Sequence, residues 1–481
     1  IHLRRVDQVP AHVVYSTARR RSRLTHMPTV LWFRRDLRLH DNPALTAAAN
    51  SGPVCPLFVL DPHVWEPAGS VRKAYLLESL KALNADLDGG LIVRVGDPTV
   101  IVPEVARAAD AKAVHVAADY GHYGRTRDTN VAQVLAAAGI DWVATGSPYA
   151  IAPGRVTKAD GSAYRVYTPF YRAWVNHGWR APAADPATAP QWFAPLAGDP
   201  WPQTPDLMGI TLPPAGEQAA LDRWDAFRHS GLAEYEERRN RPDLAGTSVL
   251  GHHLKWGEIH PRTILAELGD DLGSETFRKE IAWREFYADV TDRHPLSSRV
   301  SLDQRFDTAI DWNSGAEAED AFQAWALGRT GFPFVDAGMR QLRAEGWMHN
   351  RVRMVVASFL VKDLHLPWQR GANEFMRWLR DGDIASNSHG WQWTAGCGTD
   401  ASPYHRIFNP ISQGERFDPD GDYVRRYVPE LAHLPGKSAH TPWLQAEGYR
   451  HGYPQPMVDH AEERRDALDR FARAKASVSD S

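Results

Sequence analysis

The hydrophobic pattern of this chain changes character once, and that change constrains the fold more than any single motif. From Thr29 to Ala144 short β-branched runs alternate with amphipathic stretches. Strands are predicted at Thr29–Phe33, Val54–Leu60, Leu91–Val95, Ala113–Ala117 and Asp141–Ala144, with helices at Val71–Leu87 and Arg125–Ala138 among them. Alternation of this kind predicts a doubly wound parallel α/β sheet with helices on both faces. Beyond Glu217 the pattern becomes helical almost to the end, with helices predicted at Leu221–Arg228, Ile259–Leu268, Ser274–Val290, Phe334–Leu342, Arg351–Lys362 and Glu374–Arg380. A proline-dense stretch from Pro182 to Pro214 separates the two regimes and reads as an interdomain connector. The expected organisation is an α/β domain over 27–150, a connector over 151–216 and an all-α domain over 217–474.

Length supports this division: the chain has 481 residues, and single cores stop growing at roughly 250–300 residues. Residues 1–26 hold Arg4, Arg5, Arg19, Arg20, Arg21 and Arg23 against one acid, Asp7. They read as a transit peptide or, preferably, an extension ahead of a start at Met27, outside the fold. A net charge of −4 gives no global basic field, although a local basic patch suffices for nucleic acid. With only Cys55 and Cys397, a disulfide framework and cysteine-rich metal sites are excluded, which fits a reducing, cytoplasmic compartment. No run of 18 or more apolar residues occurs, so no membrane span is expected.

The richest segment is Asp381-Gly382-Asp383-Ile384-Ala385-Ser386-Asn387-Ser388-His389-Gly390-Trp391-Gln392-Trp393. Glycines allow close backbone approach to a flat ligand, and Trp391 and Trp393, two apart, cannot share one helical face. One indole can face a cofactor and the other a substrate, or the segment is an ordinary tryptophan-rich core with a capped helix. Carboxylate pairs also ligate divalent metals, but no third acid stands at suitable spacing, and no metal is expected. No Gly-x-Gly-x-x-Gly follows the first strand, so a dinucleotide held on a glycine-rich turn is disfavoured in the front domain.

Four further segments stand in order with this one: Gly246-Thr247-Ser248-Val249-Leu250 ahead of Gly257-Glu258-Ile259-His260-Pro261-Arg262; Glu280-Ile281-Ala282-Trp283-Arg284-Glu285-Phe286-Tyr287; Gly346-Trp347-Met348-His349-Asn350-Arg351-Val352-Arg353-Met354; and, at the front, Trp32-Phe33-Arg34-Arg35-Asp36-Leu37-Arg38-Leu39-His40-Asp41-Asn42. Together they resemble the photolyase and cryptochrome family from Thr29 to about Ala474, with class I photolyases of cyclobutane pyrimidine dimers as the best match. The resemblance implies FAD, reduced and anionic, folded within the helical domain. Thr247, Ser248, the amides of Val249, Leu250 and Gly251, and Arg284 suit its pyrophosphate. Gly251 departs from the serine of many relatives, and Thr247-Ser248 alone reads equally as a helix cap. Tyr235 and Trp347 match flavin-lining positions. Asn387 matches the amide opposite flavin N5, an acceptor that does not titrate. Asp381, Gly382 and Asp383 match the segment along the ring edge and ribose, with Arg353 as ion partner of Asp381. Trp312, Trp368 and Trp391 match the family's electron-transfer triad, against a packing role for each.

For the substrate, UV-damaged DNA, Trp283 and Trp393 match the walls of the dimer pocket; Glu280, Asn350 and Met354 match its floor, and Glu280, Asn350 and Asn387 the catalytic positions. Arg239, Arg351 and Arg406 match phosphate contacts, while Arg340 and Arg343 are added from the basic local sequence, with a solvated helix face as the alternative. Six-four photolyases carry paired histidines where this chain has the dimer-repair pattern, so His349 is expected to be structural. The front domain resembles the family's antenna domain. Asp119 and the backbone of Arg35, Asp36 and Leu37 suit 8-hydroxy-deazaflavin, favoured over methenyltetrahydrofolate, although relatives carry an acid where Gly121 stands. The implied activity is light-driven dimer repair by a monomer. The alternatives are a cryptochrome photoreceptor, which usually loses parts of the lesion pocket, and an ATP-using or electron-transferring flavoprotein, which leaves the helical domain unexplained. Nothing in the sequence accounts for His389, where many relatives have a small residue.

Overall fold

The computed structural model describes residues 27–401 and 403–479; the predicted extension over 1–26 lies outside the described residues. Five parallel strands, β1 (Thr29–Phe33), β2 (Val54–Leu60), β3 (Ile92–Val95), β4 (Ala113–Val116) and β5 (Asp141–Ala144), pair in the order β3-β2-β1-β4-β5. β1 and β2 are buried along their whole length and, Thr29 apart, apolar, because helices cover both faces. Predicted and observed strands agree within a residue at each end. In the α/β domain three helices were not predicted: Pro43–Ala49, Pro62–Trp65 and Pro98–Ala108. Each opens on proline, where a missing N–H costs nothing, and is capped by Asn42, Asp61 or Asp97 accepting a backbone N–H.

The stretch 151–216 is more than a connector. Its residues Tyr167–His177 form a helix whose Phe170 and Trp174 are buried in the core of the helical domain. Further on, Trp192 pairs by a parallel bridge with Val54, and Trp192 and Trp201 pack on the α/β core. The connector therefore belongs in part to each domain.

In the helical domain the long helix Leu272–Arg293 carries one core, while Pro333–Glu345, Asn350–Lys362 and Trp368–Trp378 surround the other. The helix Ile384–Ala395 packs on Leu272–Arg293, Asn350–Lys362 and Trp368–Trp378, so the segment Asp381–Trp393 lies at the centre of the bundle.

The loop after β1 locks the domains together. Leu37 N–H donates to Trp256 O at 3.1 Å and Arg38 Nη1 to Gly257 O at 2.9 Å. Glu217 accepts from the amides of Leu39 and His40. Asp41 pairs with Arg262 at 2.5 Å and accepts from Ala183 N of the connector. A side chain at Gly257, where φ is +70°, would collide with Arg35 O. Asp41 and Arg262 are both buried, so removing one leaves the other charge without compensation. Asp41→Ala is expected to destabilise the fold by about 3–5 kcal/mol, whereas Lys81→Ala in the exposed Lys81–Glu78 pair is expected to cost under about 1 kcal/mol. Chemical denaturation of both variants checks this.

Candidate FAD and DNA site

Asp383 begins the helix Ile384–Ala395: its carboxylate caps Ser386 N at 3.0 Å and pairs with Arg35 Nη2, from the other domain, at 2.7 Å. Burial alone would raise its carboxyl, but Arg35, Lys255 and Arg284 overcome that and hold it well below the ordinary range. Asp381 pairs with Arg353 at 2.9 Å. Between them Gly382 lies against Arg72, whose guanidinium comes from the α/β domain and donates to Met376 O and Leu379 O. The two aspartates are thus counter-ions to arginines. Among the described residues the one potential metal-ligating group is elsewhere, at His365, Glu463 and Asp466.

One helical turn on from Asp383, Asn387 donates its amide N–H to Ala372 O at 3.0 Å, which leaves its oxygen as a free acceptor. Ser248 is buried and its hydroxyl accepts from Leu250 N, while neither Thr247 nor Ser248 caps the next helix, Gly251–Trp256, by its side chain. The helix-cap reading of this pair is therefore set aside. Val249 takes a positive φ of 54°, a costly conformation for a β-branched residue and one that turns the loop sharply. Gly251 faces Asp381: a Cβ there would lie 2.8 Å from its Oδ2, so the serine of many relatives would crowd this carboxylate. Arg284 donates to Pro148 O and Leu254 O and lies over the Tyr149 ring at 4.6 Å. Tyr235 is buried against Phe227 and Phe277. Trp347 is half-buried and meets His349 edge-on.

The three triad tryptophans form a gradient of exposure. Trp312 is half-exposed, with its indole N–H on Phe306 O; Trp368 is buried, with its own on Ser301 Oγ; Trp391 is buried and its N–H has no partner among the described residues. Any side chain at Gly371, one turn from Trp368, would collide with the Trp391 ring. Glycine there lets the two helices cross closely enough for Trp391 to reach this turn. Trp393, two residues on, is only half-buried, so the two indoles do face differently.

The lesion candidates converge. Glu280 pairs with Arg239 at 2.7 Å, and the charges of Arg239, Arg416, Arg406 and Glu280 all act on Arg351. Arg351 donates to Asn240 Oδ1 and lies 3.8 Å from Met354 Sδ. Asn350 and Arg406 are exposed. His349 caps the helix Asn350–Lys362 through Nδ1, and burial, then Arg351 and Arg353, lower it to about 3. A neutral capping imidazole is a structural residue. His389 also acquires a role: its Nε2 lies within 3.3 Å of the hydroxyls of Ser297 and Thr291 and its ring stacks on Tyr287, tying three elements together.

Some expectations need correction. Arg340 is an internal strut on Glu430 and Gly328 O, and Arg343 covers Trp378, so neither joins the basic cluster. Of the four antenna residues, Arg35 sends its side chain to Asp383, the Asp36 carboxylate accepts from Arg34 N, and the Leu37 amide donates to Trp256 O; the first two contacts leave the backbone expectation for Arg35 and Asp36 as it was. Asp119 lies just beyond the end of β4; burial raises its carboxyl, but Arg127 and Arg34 outweigh that and bring it to about 2. Tyr167, Arg223 and Lys362 are among the residues that escaped the sequence reading. Tyr167 stacks on Trp283 at 3.7 Å and 9°, with its amide held by Asp400. Arg223 binds the carbonyls of Thr247 and Ser248. Lys362 holds Arg406 O. No local pattern marks such distant partners.

A half-buried loop with arginines about two carboxylates, a free amide acceptor and a glycine cradle fits a folded dinucleotide with a planar ring. Family models agree: residues 29–191 match the DNA photolyase model and residues 277–473 the FAD binding domain of DNA photolyase. This chain belongs to the photolyase/cryptochrome family. A deoxyribodipyrimidine photo-lyase of Halobacterium salinarum is 40% identical, with 93% of this chain and 99% of the relative covered. The Escherichia coli protein of the same name is 36% identical, covering 94% and 99%. Among solved structures, a bacterial class III photolyase from Agrobacterium tumefaciens matches with a TM-score of 0.84 at 38% identity, covering 95% and 99% of the two chains.

Gly371→Ala is expected to destabilise by about 1–3 kcal/mol, because an overpacked site must shift Trp391. A lowered Tm together with altered tryptophan fluorescence checks it; an unchanged Tm contradicts the contact.

Proposed function

We propose that this chain repairs cyclobutane pyrimidine dimers in DNA under light. The observation that carries the reading is the clustering of Glu280, Arg239, Arg351 and Arg406, with Tyr167, the stacking partner of Trp283, beside Glu280 and Arg239, in a domain that matches an FAD-binding family model. When bound, reduced FAD supplies the absorption of light and the electron that opens the cyclobutane ring and then returns. The remaining work falls to the chain's own residues.

Arg351 and Arg406 contact phosphates and fix the register of the duplex. Flipping the lesion costs a few kcal/mol, less where damage has already weakened stacking. Trp283 and Trp393 recover it by stacking, at roughly 1–3 kcal/mol per base. Tyr167, face to face with Trp283, keeps that wall rigid. Glu280, oriented by Arg239, hydrogen-bonds the pyrimidine edge, with Asn350 beside it. Asn387 offers its amide oxygen to flavin N5. Trp312, Trp368 and Trp391 divide one long electron jump from the surface into short ones and serve to reduce the flavin.

The antenna site is proposed at the carboxyl ends of β1 and β4, where the strand order reverses. Asp119 anchors it, and 8-hydroxy-deazaflavin is favoured over methenyltetrahydrofolate. A photolyase of Sulfolobus tokodaii, 28% identical, holds two FAD molecules, so in that protein a second flavin is present. The chain acts as a cytoplasmic monomer in this reading, with Cys55 and Cys397 buried and free. A cryptochrome photoreceptor is the second reading, since a Synechocystis cryptochrome matches with a TM-score of 0.82 at 28% identity.

The test uses a dimer-containing oligonucleotide, blue light and darkness. Wild type is expected to restore the thymines only in light, and Trp283→Ala combined with Trp393→Ala to lose about tenfold or more in lesion affinity. Full repair by the double variant contradicts the pocket; no repair by FAD-loaded, reduced wild type contradicts the function.

A further inference from the structure

Lys362 is the last residue of the helix Asn350–Lys362 and is fully buried, with no ion-pair partner among the described residues. Lysine at a helix C-terminus commonly answers the helix dipole from the surface, where its ammonium keeps its water. Here the ammonium has lost that water, a desolvation cost that a methionine in the same space would not carry. Asp363, next in sequence, is engaged by His460 at 2.5 Å instead. Both contacts of the ammonium belong to one loop: Arg406 O accepts from it at 3.1 Å, and the Tyr404 ring lies 5.1 Å away. One turn back along the helix, Ser358, also fully buried, accepts from Phe408 N of the same loop at 3.3 Å.

The helix makes these contacts into a fixed frame. Ser358 and Lys362 follow Arg351 by seven and eleven residues, so at about 100° per residue all three lie within about 20° of one line, over about 16 Å of helix. One helical face thus carries the phosphate contact Arg351 at its start and, further along, the two groups that grip the loop 404–408. Arg406 stands in that loop and is exposed. Its guanidinium has no hydrogen-bond or ion-pair partner among the described residues; it lies 5.9 Å from the Phe408 ring and adds its charge to that felt by Arg351. An unpaired side chain on a held backbone suits a phosphate contact, because less of the loop has to be ordered when DNA arrives. We propose that Lys362, with Ser358, is a positioning site: a buried clasp that fixes the backbone of Arg406 relative to Arg351 and so sets the spacing of two phosphate contacts. This rests on the DNA-repair reading above and deepens it by naming residues that act on DNA binding without touching the DNA.

The clasp acts through Arg406, and this separates it from two other roles. A lysine that served DNA binding by its charge would matter whether or not Arg406 is present, and so would one that merely held the fold. A clasp matters only while Arg406 is there to be positioned. A double-mutant cycle measures that dependence.

The experiment measures, in darkness, the affinity of the FAD-loaded protein for a dimer-containing oligonucleotide by fluorescence anisotropy. Lys362→Met is expected to weaken binding about three- to tenfold, because the loop must then be ordered on binding, and Arg406→Ala to weaken it at least as much. Adding Lys362→Met to Arg406→Ala is expected to cost less than about twofold more. Lys362→Met with wild-type affinity, or with the same loss in both backgrounds, overturns the proposal. Should Lys362→Met fail to fold by circular dichroism, Ser358→Ala, which releases Phe408 N and leaves every charge in place, decides by the same cycle. A loss confined to the background that retains Arg406 supports the proposal; no loss, or an equal loss in both, overturns it. Arg406→Ala with wild-type affinity overturns it as well. A wild type that binds the dimer no better than undamaged DNA would instead overturn the functional reading beneath it.

Discussion

The ion pair between Arg35 and Asp383 is the contact on which the rest of the site depends. It joins residues 348 positions apart and connects the loop after β1 to the first turn of the helix that carries Asn387, Trp391 and Trp393. Asp383 must be ionised to cap that helix and to answer Arg35, and the surrounding cations keep it so despite burial. Arg72 reinforces the same joint by reaching from the α/β domain to the carbonyls beside Gly382. The front domain is therefore a structural part of the candidate flavin site as well as a candidate antenna.

From this joint the helix distributes its side chains by simple geometry. Asn387 is one turn from Asp383, and its amide N–H is held by Ala372 O. Trp391, a further turn on, enters the bundle over Gly371, and Trp393 emerges on another side. Because two positions on a helix differ by about 200°, flavin and lesion can be served by neighbouring indoles. His389 pins the intervening turn through Ser297, Thr291 and Tyr287, and burial lowers it to about 4, so it does this as a neutral ring.

The β-strands were legible because each is a short, mostly apolar run between turn residues, and the capped helix that the segment Asp381–Trp393 offered only as an alternative reading is found to start at Asp383. Helices opening on Pro43, Pro62 and Pro98 were missed although Asn42, Asp61 and Asp97 supply the cap-plus-proline signal that marks such starts. The helix Tyr167–His177 was hidden by the proline-rich sequence that follows it, and with it the stacking of Tyr167 on Trp283. The side chain of Arg35 and the amide of Leu37 proved to have partners across the domain seam that the motif did not announce, because a motif identifies a loop and only the fold shows which neighbour receives its donors. Arg72 could not be read at all: it acts across the domain seam on residues remote in sequence.

The account stands or falls on whether the seam arginine holds the cofactor. The decisive measurement is the flavin-to-protein absorbance ratio of purified Arg35→Ala. Loss of most of the FAD, with the α/β domain still folded by circular dichroism, is the predicted result. Full FAD content and unaltered light-driven repair would contradict it.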